Sequence, residues 1–383
     1  MKINTHHYVE RSLSGRYINA DHLKELLDKH STHCDISVIG KSVLSEDIHF
    51  INVGSGAKKI LMWSQMHGNE STTTKAIFDL LNMLSDNKNK IVQAVLANCT
   101  IGIIPMVSPD GARAYTRLNA NQVDLNRDAQ SLSQPESIAL RKCFENFMPD
   151  YCFNLHGQRT IFSAGETNKS AIVSFLAPAQ DEARSITPTR KIAMEVICKM
   201  NDHLQDHIPG HVGIYDDTFN INCVGDSFQA LGVPTILFEA GHYPGDYMRE
   251  KVRTLIFQSL WIGICNIALN EVKGVEEKAY FKIPQNKKLF YDIIVRNAKV
   301  KGDGETQNTD IAVQYKEQLV QGNIEFIPIL EKICQLESFH GHKDIDAQGG
   351  FLSLEQNEML KEGSEIDFVR INQEKVQFNV ETK

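Results

Sequence analysis

The chain has 383 residues, more than one ordinary domain needs, which points to one large domain with a smaller one beside it. With 42% apolar and 23% charged residues it can bury a full core, which excludes a disordered chain. The net charge of −8 is spread along the sequence without a basic block, which argues against nucleic acid as a partner.

Residues 1–10 contain no apolar stretch of the kind a secretory signal carries, so no signal peptide is expected. Cys34, Cys99, Cys143, Cys152, Cys198, Cys223, Cys265 and Cys334 are scattered with no C-x-x-C pair, which predicts neither a disulfide framework nor a cysteine zinc site. Cys198 and Cys265 lie in apolar runs, where a free thiol behaves as a small hydrophobe. A reduced, cytoplasmic protein is the expectation. The longest greasy stretch, 255–269, is broken by Gln258, Ser259 and Asn266. It falls short of the ~20 residues a membrane span needs, so a core helix and no membrane contact are expected.

In chain order, residues 1–35 predict an amphipathic helical lead-in with Leu23, Leu26 and Leu27 on one face. Alternating polarity predicts strands at 35–39 and 47–53. The short apolar run 60–63 reads as a buried strand, and helical spacing begins at Ala76 with Ile77, Leu80 and Leu81. Between them lie His67, Gly68, Asn69 and Glu70, placed at the strand end and in the first helical turn, the edge where open α/β sheets hold ligands. An imidazole and a carboxylate three residues apart can converge on one cation, and Zn²⁺ accepts both. The same four residues also read as a plain helix start, with Asn69 capping and Glu70 complementing the dipole.

A second apolar strand is predicted at 101–107. It ends in Ser108, Pro109, Asp110 and Gly111, a turn in which Pro fixes φ and Gly permits φ > 0. The loop 112–134 carries Arg113, Arg117, Asn119, Asn121, Asp124, Asn126 and Arg127, and loops of that length are usually functional or disordered. Pro135 opens a helix over 136–148. A strand at 151–155 then stops at His156. A strand at 171–176, a helix at 188–207, a strand at 234–238 ending in Glu239 and a helix at 247–269 follow. Strands alternating with helices predict an α/β fold, with a mixed, mostly parallel sheet covered by helices on both faces. His67, His156 and Glu239 all fall at strand ends.

From about residue 273 the texture changes. A linker-like turn at 282–286 precedes strands at 289–300, 309–315, 324–329 and 376–380, with helical spacing only at 329–336. The expected division is a catalytic domain over 1–272 and a mainly β domain over 273–383, whose role the sequence does not assign.

His67, Glu70 and His156 supply three N/O ligands and leave a fourth position open, the arrangement of a catalytic zinc site. Such an ion lowers the pKa of its water to about 7 and polarises a carbonyl. Glu239, at the end of a greasy strand, has the poor solvation that raises a carboxylate's pKa and suits a proton shuttle. Arg117 can neutralise an oxyanion, and Arg127 beside Asn126 offers a fork for a carboxylate.

The ordered set of His67 and Glu70, Ser108 to Gly111, Arg117, Asn119, Asp124, Asn126, Arg127, His156 and Glu239 resembles the M14 family of zinc carboxypeptidases over roughly residues 40–270. The interval from Arg117 to Asn126 is that of the family's regulatory (N/E) branch. The resemblance implies one zinc per chain on His67, Glu70 and His156, with Glu239 activating a zinc-bound water. It implies further that Arg117 stabilises the oxyanion and that Asn126 and Arg127 hold the free carboxylate of a peptide or acyl-amino-acid substrate.

Three positions depart from the pattern. Asp128 follows Arg127 where Asn is more usual, and Asn154 stands where the family often has Asp. The substrate-covering tyrosine has no clean match, and Tyr215 is its candidate. The alternative reading is a zinc-dependent N-acyl amino acid deacylase resembling succinylglutamate desuccinylases and aspartoacylases. Those share the H-x-x-E, Arg and Glu elements and also carry a C-terminal β domain. Asp226 falls near where the family sets side-chain preference, and reads equally as a buried hydrogen-bonding residue. His203 and His207 are expected at the surface, because Leu204 replaces the Glu of a zincin pair. His340 and His342 are expected in a loop.

Overall fold

The computed structural model describes residues 5–301, 306–354 and 359–380; residues 1–4 of the opening segment, where no signal peptide is expected, lie outside these. The lead-in holds α1 (Thr5–Tyr8) and α2 (Ala20–His30). Asn19 caps α2 through Asp21 N–H, and Leu23, Leu26 and Leu27 are buried as the spacing predicts. The hairpin β1 (Asp35–Lys41) and β2 (Asp47–Gly54) forms one edge of the main sheet.

β3 (Lys58–Ser64) leads into α3 (Thr72–Leu84), and α4 (Lys90–Asn98) precedes β4 (Cys99–Ile104). The second predicted strand starts two residues before the expected position and ends three residues before it, because Pro105 has no N–H with which to continue the ladder. Next come α5 (Pro109–Ala114), α6 (Pro135–Phe147), β5 (Tyr151–Gly157), β6 (Phe162–Ala164) and β7 (Val173–Leu176). They are followed by α7 (Pro188–Gln205), β8 (Val212–Ile214), α8 (Val224–Ala230), β9 (Thr235–Ala240) and α9 (Glu250–Leu269).

The eight-stranded sheet has the order β1-β2-β4-β3-β5-β9-β7-β8. The pairs β3/β4, β3/β5, β5/β9 and β7/β8 are parallel, and the other three are antiparallel. β3 shows why both faces are covered. Ile60 and Met62 join the core that contains α3, α7 and α9, while Leu61 and Trp63 join the core on the α6 and α8 side. The sheet is mixed, mostly parallel and doubly covered, as expected.

α9 is longer than the 255–269 run. By length and composition it could cross a membrane, but 78% of its most apolar window is buried inside the protein. Burial, not shortness, makes it a core helix.

Beyond α10 (Glu277–Tyr280) and the segment 282–286, where a linker-like turn is expected, β10 (Asn286–Lys288) pairs with β6 and stitches the C-terminal β region to the main part of the chain. β11 (Phe290–Lys301), β12 (Thr306–Val320), β13 (Asn323–Cys334) and β14 (His340–Asp346) form a sheet of order β13-β12-β11-β14. β15 (Leu352–Ser353), β16 (Phe368–Ile371) and β17 (Glu374–Gln377) form another, packed with the first around Val295, Ile311, Val313, Leu330, Val369 and Phe378. Two expectations fail here. The segment 329–336 is not helical, because β13 runs on to Cys334 opposite Asp310. His340 and His342 lie in β14 rather than in a loop.

Candidate metal centre and substrate cleft

The first site residues hang on a tight loop beyond β3. Gln65 adopts φ +47°, and its buried amide donates to Gly68 O and Ile18 O, both at 2.8 Å. The Glu70 N–H returns to His67 O at 3.1 Å, and Ser71 Oγ donates to Arg16 O at 2.5 Å. Glu70 therefore precedes α3, rather than sitting in its first turn. The helix begins after Ser71, and Asn69 does not cap it. Gln65 and Arg16 thus fix the loop from behind, roles the sequence does not announce.

His156 and Glu239 lie within β5 and β9 as directly paired residues. The donor atoms of His67, Glu70 and His156 fall within 4.8 Å of one another. His67 Nδ1 lies 3.2 Å from His156 Nδ1 and 2.8 Å from Glu70 Oε1, and His156 Nδ1 lies 3.0 Å from Glu70 Oε2. Donors about 2.0–2.2 Å from a tetrahedral zinc stand roughly 3.3 Å apart, so these three side chains fit one zinc ion. Their chemistry fits as well: two buried imidazoles with a carboxylate, and no cysteine in the set.

The outer partners orient these donors. Asp124 Oδ1 accepts from His67 Nε2 at 3.1 Å, which leaves Nδ1 to face the centre. The Gly157 N–H donates to Glu70 Oε2 at 3.0 Å. Burial would raise both carboxylates, but His67 and His156 together at Glu70, and His67 and Arg117 together at Asp124, outweigh it and hold both far below the usual range. Asn154, the departure noted above, is buried with Oδ1 unpartnered, and the outer-partner role falls to Asp124 instead.

Glu239 is 7% exposed and its Oε2 has no hydrogen-bond partner. Burial, reinforced by the Glu70 carboxylate, pushes its pKa well above the usual carboxylate range. Arg117 is tied to Asp124 through Nε at 3.0 Å and Nη2 at 2.9 Å, which turns Nη1 toward His67 Nδ1 at 3.2 Å.

Asn126 and Arg127 stand on a 3-10 turn, Leu125–Arg127, whose start Asp124 caps. Asn126 Oδ1 accepts from Val224 N–H at 3.0 Å at the start of α8, and Arg127 Nη1 donates to Asn126 O at 2.7 Å. The Arg127 side chain is exposed, and Tyr215 is half-buried with its ring 5.4 Å from Phe162. His67, Glu70, His156, Arg117, Glu239, Asn126, Arg127 and Tyr215 all line one cleft of about 1180 Å³.

Residues 20–136 match the family model of zinc carboxypeptidase, Peptidase_M14. Carboxypeptidase SOL1 of Arabidopsis thaliana is 27% identical over 167 residues, which make up 38% of this chain and 34% of the relative. The chain thus spans about a third of the length of that curated relative. A metallo-carboxypeptidase from Burkholderia cenocepacia superposes with a TM-score of 0.52 at 14% identity, over 65% of this chain and 70% of that one. Thrombin activatable fibrinolysis inhibitor superposes at 0.54 and 14% identity, over 68% of this chain and 76% of that one. The fold is that of a zinc carboxypeptidase. The family match contains His67, Glu70, Arg117, Asn126 and Arg127, and the zinc carboxypeptidase fold brings His156 and Glu239 to them.

Other positions sort themselves within this fold. Asp128 turns away from the carboxylate clamp and accepts from Ser133 N–H at 3.0 Å, Ser133 Oγ at 2.7 Å and Gln134 N–H at 3.0 Å. Asp226 lines the cleft and also accepts from Asn220 N–H at 3.2 Å; burial lifts its pKa to about 6. His203 meets Gln258 at 3.2 Å between α7 and α9, and His207 is exposed.

Proposed function

We propose that this chain is a zinc-dependent metallocarboxypeptidase that hydrolyses the C-terminal amide bond of a peptide-like substrate. One observation carries the reading: the donors of His67, Glu70 and His156 converge in an open cleft, with the buried, unpartnered Glu239 carboxylate on the neighbouring strand. Bound to those donors, one zinc per chain would polarise the scissile carbonyl and acidify water. Glu239 takes a proton from the attacking water at Oε2 and returns it to the leaving amine, a task its raised pKa suits. Arg117 offers Nη1 to the oxygen that gains negative charge. Asn126 and Arg127 hold the substrate's terminal carboxylate, and Tyr215 covers it. All eight cysteines are free, which supports a reducing, cytoplasmic setting.

The test is a comparison on zinc-loaded protein of free-carboxylate peptides, their C-terminal amides and N-acyl amino acids. Release of the C-terminal residue from free peptides alone is the expected result. Turnover confined to N-acyl amino acids would replace this reading with the deacylase one.

A further inference from the structure

The smaller β domain does not hang free of the cleft. Glu317 of β12 accepts from Arg16 Nη2 at 2.9 Å and from the Tyr115 hydroxyl. The carbonyl of that same Arg16 receives Ser71 Oγ, one residue beyond Glu70. The β domain is therefore joined to the metal-ligand loop through a single intervening residue. Asp292 of β11 accepts from the Tyr247 hydroxyl at 3.0 Å, and Tyr17, Tyr115, Tyr247, Tyr315 and Phe326 pack into one aromatic seam between the domains. A mostly apolar seam with buried polar ties holds two domains in fixed relation, where a small polar one would let them move.

The seam leaves Tyr315, Lys316, Ile329 and Glu331 lining the same cleft as the metal donors. The carboxylate clamp adjoins the centre from the α8 side, through Val224 and Cys223. The β domain adjoins it from the Arg16 and Tyr115 side. A substrate whose terminal carboxylate sits on Arg127 and whose scissile amide lies at the metal centre can direct its preceding residues along the β-domain lining of the same cleft. We propose that the C-terminal β domain is the amino-side wall of the substrate cleft, and that β12 and β13 contact the residues preceding the scissile bond. The substrate class is then a peptide with several residues ahead of the bond, rather than a single acylated amino acid. This inference rests on the carboxypeptidase reading for its direction.

Two measurements test it on the full-length, zinc-loaded protein. The first is kcat/KM for N-blocked peptides of two to six residues with free C-termini. In the wild type it should rise with length, and in Lys316→Trp the ratio of longest to shortest should change by roughly tenfold or more. The second needs no turnover. The two native tryptophans, Trp63 and Trp261, are buried at 0% and 1% exposure, so a tryptophan at exposed position 316 is the only one in the cleft. Titrating Glu239→Gln/Lys316→Trp with the same peptides should shift its emission to the blue for the long ones and not for the shortest. No shift at any length overturns the proposal, whether or not the peptides are hydrolysed. A shift with long peptides that the wild type fails to cleave would keep the wall and discard the carboxypeptidase reading.

Discussion

Gly68 and Gly111 meet backbone to backbone: a Cβ built on Gly68 would stand 1.9 Å from the Gly111 carbonyl carbon. The metal-ligand loop is thus seated against the start of α5, where Pro109 occupies the first turn. The stretch Ser108 to Gly111 is not the free turn its composition suggests. Gly111 has no positive φ; its own missing side chain makes room for Ser108 Oγ and Leu118 O, which a Cβ would approach to 2.7 Å and 2.9 Å.

Gly68→Ala should therefore displace the loop that carries His67 and Glu70. Overpacking of this kind costs about 1–3 kcal/mol or more. The variant should lose thermal stability and zinc affinity together. Calorimetry with equilibrium zinc titration checks this, and unchanged zinc affinity would show that the loop tolerates the shift.

The second outer contact makes a finer prediction. Asp124 is bonded to His67 Nε2, so Asp124→Asn should keep the side chain's shape while weakening its hold on the imidazole. Zinc affinity should fall by about 10–100-fold, the range for losing an outer-shell partner. His156→Ala should bind almost none. Competition with a chromophoric chelator reads both, and full affinity in the asparagine variant would assign Asp124 to Arg117 alone.

How much of this could be read beforehand depended on the range of the physics involved. The run 60–63 announced its strand because a doubly buried strand needs unbroken apolar residues, and α2 announced itself through Leu23, Leu26 and Leu27. Glu239 stood out because a carboxylate ending a greasy strand is rarely idle. Gln65 gave no sign, since nothing local marks a glutamine held at φ +47° by contacts to Gly68 and Ile18. Asp124 was visible as part of the pattern, but its bond to His67 spans 57 positions. The false helix at 329–336 has a local cause. The ladder between β12 and β13 shifts register where Val313 pairs with Leu330 and Ala312 with Lys332. The extra residue breaks the two-residue alternation, and Ile329, Leu330, Ile333 and Leu336 then mimic helical spacing.

Glu239→Gln removes the base and keeps the shape. Zinc content and KM should stay near wild type while kcat falls by roughly 10²–10⁴, the range for a positioned acid–base group. Retention of more than about a tenth of the rate would make Glu239 structural and send the search for a base elsewhere.

Arg127 is exposed in the cleft beside Asn126, with its Nη1 donating to Asn126 O and Cys223 Sγ. Amidating the substrate's C-terminus should cost on the order of 2–5 kcal/mol in kcat/KM if the bound substrate buries the pair. In Arg127→Ala the penalty should nearly vanish, because both substrates then lack the pair. An undiminished penalty in the variant would place the carboxylate elsewhere in the cleft.

The last prediction concerns acid stability away from the metal centre. His30 is 1% exposed and packs against Phe78 with Nε2 unpartnered; burial, aided by Lys29, lowers its pKa to about 4. His342 is likewise lowered to about 4, by burial, and His242, held 4.4 Å from it ring to ring, lies well below its ordinary value. In the unfolded chain all three titrate near 6.5. Above that pH both states are neutral and the histidines contribute no pH dependence. As pH falls below about 6.5 the unfolded chain takes up protons that the folded chain refuses, so stability drops, and the share of His30 and His342 levels off at about pH 4, where these two begin to charge in the folded protein. For His30 alone the full drop is about 3 kcal/mol. Urea denaturation between pH 7 and pH 4 should show the decline, and His30→Met, which fills the same apolar site without a titrating group, should flatten its share. An unchanged slope in that variant would mean that His30 is protonated in the folded protein and that its burial sets no acid limit.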